Sequence, residues 1–562
     1  MYLYVTSSFP AFWVAILFAV LSQTVISKKP HLILILADDF GWGNIGFHRL
    51  DNTKEVQTPN LDALAASGII LDRFYAYKIC SPSRCALQSG RYPVHVNTLN
   101  LAPESWNPND PVSGYAGIPR NMTCIAERLR QEGYRTIMSG KWDAGMATPT
   151  HTPLGRGYDK FLGYFHHAND YNTCGLPLTA VGEIDVCYNL FKDLWENDHP
   201  AVHLAGTAYE EELFERHSLE AIKSHDPTKQ PLFLFHSFHL VHTPLQVPED
   251  DLNLFSFVDY LNRRKYAAMV YYMDRTVGRL IKALKENQNM YDDSIILFFS
   301  DNGGPIYKPG SASNFPLRGG KYSDFEGGVR VNAFVSGGKI PQNRRGLKSA
   351  DLVHVSDIYA SFLRLAHYGI DANNVNPQEF GELLFDKRAE KAGLPPIDSL
   401  DILWGIITGS QYKKREEIHL SRQSLLSGKY KLIVGDQPMN IWQGEYYPNS
   451  TGMQPTFPDV DQGTFHYDCG PAGCLFDVFS DPMEYTDLAL QLPEIRKQLL
   501  DRLMELNKGE FSPDRGQPSK VACKVAALNH NGFYGPFVDF DHRHKKQEQR
   551  NFPHQTVIST IE

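Results

Sequence analysis

Four apolar segments in this chain each run directly into polar or charged residues, and that pattern restricts the fold more than any other feature. His31-Leu-Ile-Leu-Ile-Leu-Ala37 is followed by Asp38-Asp39, and Arg135–Met138 by Ser139-Gly140-Lys141. Leu232–Phe238 leads to His239 and His242, and Ser294–Phe299 to Ser300, Asp301 and Asn302. A strand that is apolar on both faces has to be covered on both faces, as in a parallel sheet between layers of helices. Helical patterns lie between the strands. Thr58-Pro59 opens one that Gly68 closes, Cys124–Gln131 forms a second ended by Gly133, and Tyr260–Asn287 is a long amphipathic third. The alternation predicts an α/β fold with a large, mostly parallel or mixed sheet flanked by helices. Ligand sites in such sheets lie at the carboxyl ends of the strands, where all four polar clusters fall.

The chain has 562 residues, 42% hydrophobic and 21% charged. That is enough to bury a sizeable core and is unlike a disordered or fibrous sequence. Beyond about residue 410 the texture changes. Ser427–Val434 alternates with a period of two, as an antiparallel strand does, and Pro493–Asn507 has a helical pattern. The expected organisation is a signal peptide over 1–27, a large α/β domain over 28–410, a smaller C-terminal α+β subdomain over 411–540 and a polar tail over 541–562.

Phe9–Ser27 is apolar, short for a bilayer span and ends in small and polar residues, which predicts a cleaved secretory signal even though no Lys or Arg precedes it. No later segment has the unbroken apolar length of a membrane span. Sequons at Asn121-Met-Thr and Asn449-Ser-Thr agree with export. The expected location is the secretory pathway, lysosomal or extracellular. Eight cysteines are too few for a disulfide scaffold and enough for staples in an oxidising compartment. Cys174 with Cys187 and Cys469 with Cys474 are plausible local bridges, and Cys124 with Cys523 would tie the C-terminus to the body; spacing alone leaves the pairing open. A net charge of −9 argues against nucleic acid and anionic lipid as partners, while a basic pocket for a small anion stays compatible with it.

Asp38, Asp39, Asp301 and Asn302 offer only oxygen ligands, which suit Ca²⁺ or Mg²⁺. Three converging carboxylates repel one another unless a cation sits among them. The segment Cys80-Ser-Pro-Ser-Arg-Cys-Ala-Leu-Gln-Ser-Gly-Arg91 is the most specific in the chain. Pro82 can start a helix that Ser83–Leu87 continue, which puts Cys80 beside a helix N-terminus with Arg84 one turn on. On the residues alone, Cys80 is either a structural cysteine, bridged to Cys85, or a reactive one; export disfavours a long-lived free thiolate.

The run Cys-x-Pro-Ser-Arg followed by Gly90-Arg91 resembles the sulfatase signature. The resemblance extends through Leu36-Ala-Asp-Asp-Phe-Gly-Trp42, Thr58-Pro-Asn-Leu-Asp62, Gly140-Lys-Trp142 and His242-Thr-Pro-Leu-Gln-Val-Pro248. It continues in Ser300-Asp-Asn-Gly-Gly304, Arg318-Gly-Gly-Lys321, Glu326-Gly-Gly-Val-Arg330 and Asp481-Pro-Met-Glu484, and looks closest to the arylsulfatase B (N-acetylgalactosamine-4-sulfatase-like) group. It implies an alkaline-phosphatase-like fold in which 28–410 is the catalytic domain. It implies hydrolysis of sulfate monoesters, on a sulfated carbohydrate or an aryl sulfate. Cys80 would be oxidised to formylglycine before folding by a separate formylglycine-generating enzyme. One Ca²⁺ (Mg²⁺ being the weaker candidate) would be held by Asp38, Asp39, Asp301, Asn302 and the side chain at Cys80. Arg84 would stabilise the aldehyde hydrate, Lys141 and Lys321 would bind sulfate oxygens, and His242 would protonate the departing alcohol.

One position departs from the family pattern. Sulfatases commonly read Gly-Lys-Trp-His, whereas this chain reads Gly140-Lys-Trp-Asp143. An aspartate brings negative charge toward an anionic substrate, and a lost general base costs roughly 10²–10⁴ in rate. The alternative reading is therefore a catalytically impaired, glycan-binding sulfatase-like protein. His151, His166 and His239 are the histidines that could stand in for the missing one.

Overall fold

The computed structural model describes residues 29–49, 54–175, 191–371, 375–443 and 465–538. The signal segment, Cys187, Asn449 and the polar tail lie outside the described residues. The central sheet has ten strands: β1 His31–Ala37, β2 Ile69–Leu71, β3 Arg135–Lys141, β4 Lys160–Tyr164, β5 Trp195–Glu196, β6 His199–Pro200, β7 Leu232–Ser237, β8 Ser294–Ser300, β9 Ala333–Ser336 and β10 Leu347–Ser349. They lie in the order β10-β2-β9-β8-β1-β7-β3-β4-β5-β6. The middle, from β8 through β1, β7 and β3 to β4, is parallel. Antiparallel pairs flank it on both sides, so the sheet is mixed with a parallel heart.

Helices that matter to the site are α1 Pro59–Ala66, α2 Cys80–Ser89, α3 Ile125–Gln131, α4 Glu210–Lys223, α5 Leu261–Glu286, α6 Asp357–Tyr368 and α7 Pro493–Asn507. Every residue of β1 is buried, because its two faces feed two separate cores. Leu32, Leu34 and Leu36 pack with Phe235, Leu297 and Phe299 under α2, α3 and α6. Ile33, Ile35 and Ala37 pack with Leu234, Ile296 and Phe298 under α1, α4 and α5. The period-two alternation of a strand thus divides one apolar run between two helical layers.

The C-terminal sheet is four-stranded and antiparallel, built from β11 Glu417–Ser421, β12 Ser424–Ser427, β13 Tyr430–Ile433 and β14 Cys474–Asp477. One face, with Ile418, Leu420, Leu426 and Phe476, packs on Phe325, Val329 and Leu352 of the body; the other, with Leu425 and Leu432, takes Leu499 and Leu503 of α7. The period-two run at 427–434 is not one strand. Ser427 pairs with Tyr430 across a two-residue turn, and Gly428 supplies the φ of +56° that the turn needs. After α7 the chain returns to the body, where Ala522 and Val525 join the main core.

Cys469 and Cys474 form the expected disulfide. The other two expected bridges are not formed: Cys124 and Cys174 are buried free thiols, and Cys523 is disulfide-bonded elsewhere than to Cys124. Cys124 caps α3 inside the main core, where it serves as a small apolar residue.

Strand register gathers the polar clusters. Ala37 stands opposite Ser300, Leu36 opposite Ser237, and Gly140 opposite Ser237, so Asp38, Asp301 and Lys141 leave the sheet at one edge. Gly140 makes this possible. Its φ is +96°, and a Cβ there would fall 1.8 Å from the Ser237 carbonyl oxygen. Gly140→Ala is therefore expected to cost about 2–4 kcal/mol, through backbone strain and a backbone clash that no rotamer relieves. A thermal midpoint in that variant equal to the parent's contradicts this account.

Candidate active site

The site is assembled at the carboxyl edge of β1, β3, β7 and β8, with α2 laid across it. All ten residues of α2 are buried, and Gly90 in a left-handed conformation (φ +68°) closes the helix. Cys80 stands at its first position, so the helix starts two residues earlier than Pro82. Its Sγ lies 3.4 Å from Asp38 Oδ1 and 3.9 Å from Asp39 Oδ1. Burial, with the Asp38 carboxylate, pushes this thiol well above its ordinary pKa despite Lys141 and Lys321. A bare thiolate nucleophile is thus disfavoured by this environment.

Each of three carboxylates has its own cation. Lys141 Nζ is 2.5 Å from Asp38 Oδ2, Lys321 Nζ is 2.9 Å from Asp39 Oδ1, and Arg84 Nη2 is 2.8 Å from Asp301 Oδ2. Arg84 is held in place by its other donors: Nη1 reaches Ser237 Oγ at 2.7 Å and the Lys141 carbonyl oxygen at 3.0 Å. The Asp39 backbone N–H donates to Asp301 Oδ1 at 3.3 Å, and Asn302 Nδ2 donates to Asp39 Oδ1 at 2.7 Å. Burial and the Asp38 charge push Asp301 up to about 6, which marks carboxylates packed more tightly than their partners offset.

His242 has a fixed tautomer. Its Nδ1 donates to the Thr243 carbonyl at 2.6 Å, and its Nε2 accepts from Lys321 at 3.2 Å. Burial and the Lys321 charge hold this imidazole well below its usual pKa, so the resting proton is on the lysine. The loop carrying His242 is clamped by Glu211, whose Oε1 accepts the backbone N–H groups of His239 and Leu240 at 2.7 and 2.9 Å.

The donor set fits a hard divalent cation. Ligand atoms of Asp38, Asp39, Cys80 and His242 lie within 4.8 Å of one another. The His242 nitrogen among them is already engaged by Lys321, which leaves the carboxylate oxygens and the side chain at position 80. Asn302 Oδ1 is buried without any hydrogen-bond partner, a carbonyl oxygen that a cation would satisfy.

The structure thus brings together every residue expected at the site: Asp38, Asp39, Cys80, Arg84, Lys141, His242, Asp301, Asn302 and Lys321. Of the three histidines considered as substitutes at 143, His151 is bonded to Thr148 and packed on Tyr115, and the His166 ring packs on His167 and Tyr534. His239 borders the site, its ring 5.7 Å from that of His242 and its Nδ1 2.9 Å from Glu210. Ser237, Glu211 and His167 were missed. Ser237 alone had a signal, as a polar residue ending an apolar strand; the other two come from distant loops and helices.

Three comparisons bear on this geometry. The Sulfatase family model matches residues 30–368. Arylsulfatase J of Mus musculus is 31% identical over 539 residues, covering 94% of this chain and 83% of its own length. N-acetylgalactosamine-6-sulfatase of Sus scrofa is 30% identical over 529 residues, covering 91% of each. Among solved structures, Ps i-CgsB superposes with a TM-score of 0.65 at 25% identity, over 90% of this chain and 99% of that one, and is also known in complex with k-i-k-neocarrahexaose. With a family model covering more than half its length and a matching relative over most of the remainder, this chain belongs to the sulfatase family, enzymes that hydrolyse sulfuric esters.

Proposed function

We propose that this sulfatase removes sulfate from a glycan, using a formylglycine made from Cys80 and one divalent cation, Ca²⁺ in preference to Mg²⁺. The observation that carries the reading is Cys80 between two aspartates and two lysines at the sheet edge. A glycan substrate is supported by the relatives, which include an N-acetylgalactosamine-6-sulfatase, and by the neighbouring structure in complex with an oligosaccharide.

A formylglycine at position 80 would supply, once hydrated, one hydroxyl to accept the sulfuryl group and a second whose collapse to the aldehyde would release it. A divalent cation held by Asp38, Asp39, Asp301 and Asn302 supplies Lewis acidity beside that side chain. Among the protein's own groups, Arg84 is anchored by Asp301 and Ser237 and presents fixed positive charge where negative charge develops. Lys141 and Lys321 are the sulfate-binding cations. Their ammoniums pair with Asp38 and Asp39; a cation held by those aspartates would free both for the substrate. His242 and Lys321, 3.2 Å apart, share a proton at the place where an alcohol must be protonated to leave.

The oxidising secretory pathway, with a lysosomal or extracellular destination, fits the Cys469–Cys474 disulfide. No helix among the described residues is long and apolar enough to cross a membrane.

Cys80→Ala is expected to abolish sulfate-ester hydrolysis while leaving the thermal midpoint within a few degrees of the parent; substantial residual turnover rules out the proposed nucleophile. Mass spectrometry of the tryptic peptide holding residue 80 from the native source is expected to find the aldehyde, and an exclusively thiol side chain refutes the modification. Adding millimolar Ca²⁺ to chelator-treated protein is expected to raise the thermal midpoint, since a ligand at 100 times its Kd stabilises by about 2.7 kcal/mol. A midpoint insensitive to Ca²⁺ and Mg²⁺ alike removes the metal site.

A further inference from the structure

Asp143 follows Lys141 by two residues, is 4% exposed and has its Oδ2 3.8 Å from the Lys141 ammonium. An unpaired carboxylate there would draw on the charge that the proposed site needs for sulfate. Its other oxygen, Oδ1, is 2.8 Å from His167 Nδ1. The second nitrogen of that ring, Nε2, is 3.1 Å from the Leu101 carbonyl oxygen. We propose that His167 is a charge-compensating residue of the sulfate site: it cancels Asp143, so that the pair presents no net charge and Lys141 keeps its own for the anion. This inference rests on Lys141 binding sulfate.

The two contacts of His167 decide the protonation state. A carbonyl oxygen can only accept, and so can an ionised carboxylate. A neutral imidazole has a single N–H, which would leave one ring lone pair pointing at an oxygen lone pair. Both contacts are made together when the ring is an imidazolium, or when the same proton rides on Asp143; either way the pair sums to zero. The backbone agrees with a built arrangement. Asp143 has a φ of +47°, in the left-handed region that Asp tolerates better than most residues, and this turn aims Oδ1 at His167. Burial pushes the Asp143 carboxyl up, but His167, Lys141 and Arg84 together pull it below its ordinary value. Oδ2 accepts no hydrogen bond, so His167 is the partner that fixes the carboxylate.

The arrangement also accounts for the departure at position 143. The chain has an acid where sulfatases commonly carry a histidine, and an imidazole supplied from residue 167 stands directly behind it. The cationic charge that the aspartate removes is returned one residue further out.

The test is calorimetric titration of the full chain with inorganic sulfate. His167→Asn keeps a donor toward Asp143 and drops the charge, and is expected to weaken sulfate binding about tenfold at an unchanged thermal midpoint. Asp143→Asn/His167→Asn removes both charges and is expected to restore affinity to within about threefold of the parent, a rescue that a purely structural contact would not give. Lys141→Met monitors the underlying site and is expected to lose affinity. Parent-like binding by His167→Asn, with affinity lost in Lys141→Met, overturns the role of His167 alone. Parent-like binding by Lys141→Met overturns the sulfate site itself. Should His167→Asn not fold, the double variant decides: a tenfold loss there overturns charge compensation, and near-parent affinity upholds it.

Discussion

The structure depends on keeping three carboxylates buried together at one sheet edge. Asp38, Asp39 and Asp301 are each within 1% of complete burial, and each is matched by one cation at 2.5 to 2.9 Å. Such pairs are costly to bury and costly to break, so the surrounding elements are committed to holding them. Arg84 is tied to β3 and β7 as well as to Asp301, and Asn302 bonds Asp39 across the two strand ends. The same balance sets up the chemistry. Three negative and three positive side chains sum to zero, and the proposed divalent cation would tip that sum toward an incoming anion.

Much of this was legible in the sequence because the relevant signals are local. An apolar run ending in Asp-Asp or Asp-Asn states both the strand and the edge at which it stops. The C-terminal sheet was read less well. Its alternation at 427–434 runs through Gly428, and periodicity by itself does not distinguish a strand from the second half of a hairpin. The local Cys469–Cys474 bridge is legible from spacing, whereas the long-range pairing of Cys124 with Cys523 is not: Cys124 fills core space under α6, and packing is a property of three dimensions.

Within the site, residues that touch the reaction centre carry recognisable neighbours, whereas the residues that hold them do not. Glu211 comes from α4, and nothing in Tyr209-Glu-Glu-Glu212 announces that one carboxylate will accept two amides of the His242 loop. His167 is likewise silent until Asp143 is seen against it. The substitution at 143 suggested a weakened enzyme when read as one changed residue. Read as one half of a pair, it is a change that keeps the local charge constant.

The burial of α2 bears on how an active molecule comes into being. Cys80 is 1% exposed, and no residue of its helix reaches the surface. A second protein acting on that side chain therefore meets it only while the chain is still open. If Cys80 is modified as proposed, the proportion of competent molecules would be decided by a race between the modifying enzyme and the closing of the sheet edge, and a variant that folds faster would lose part of its output without any change in its finished architecture.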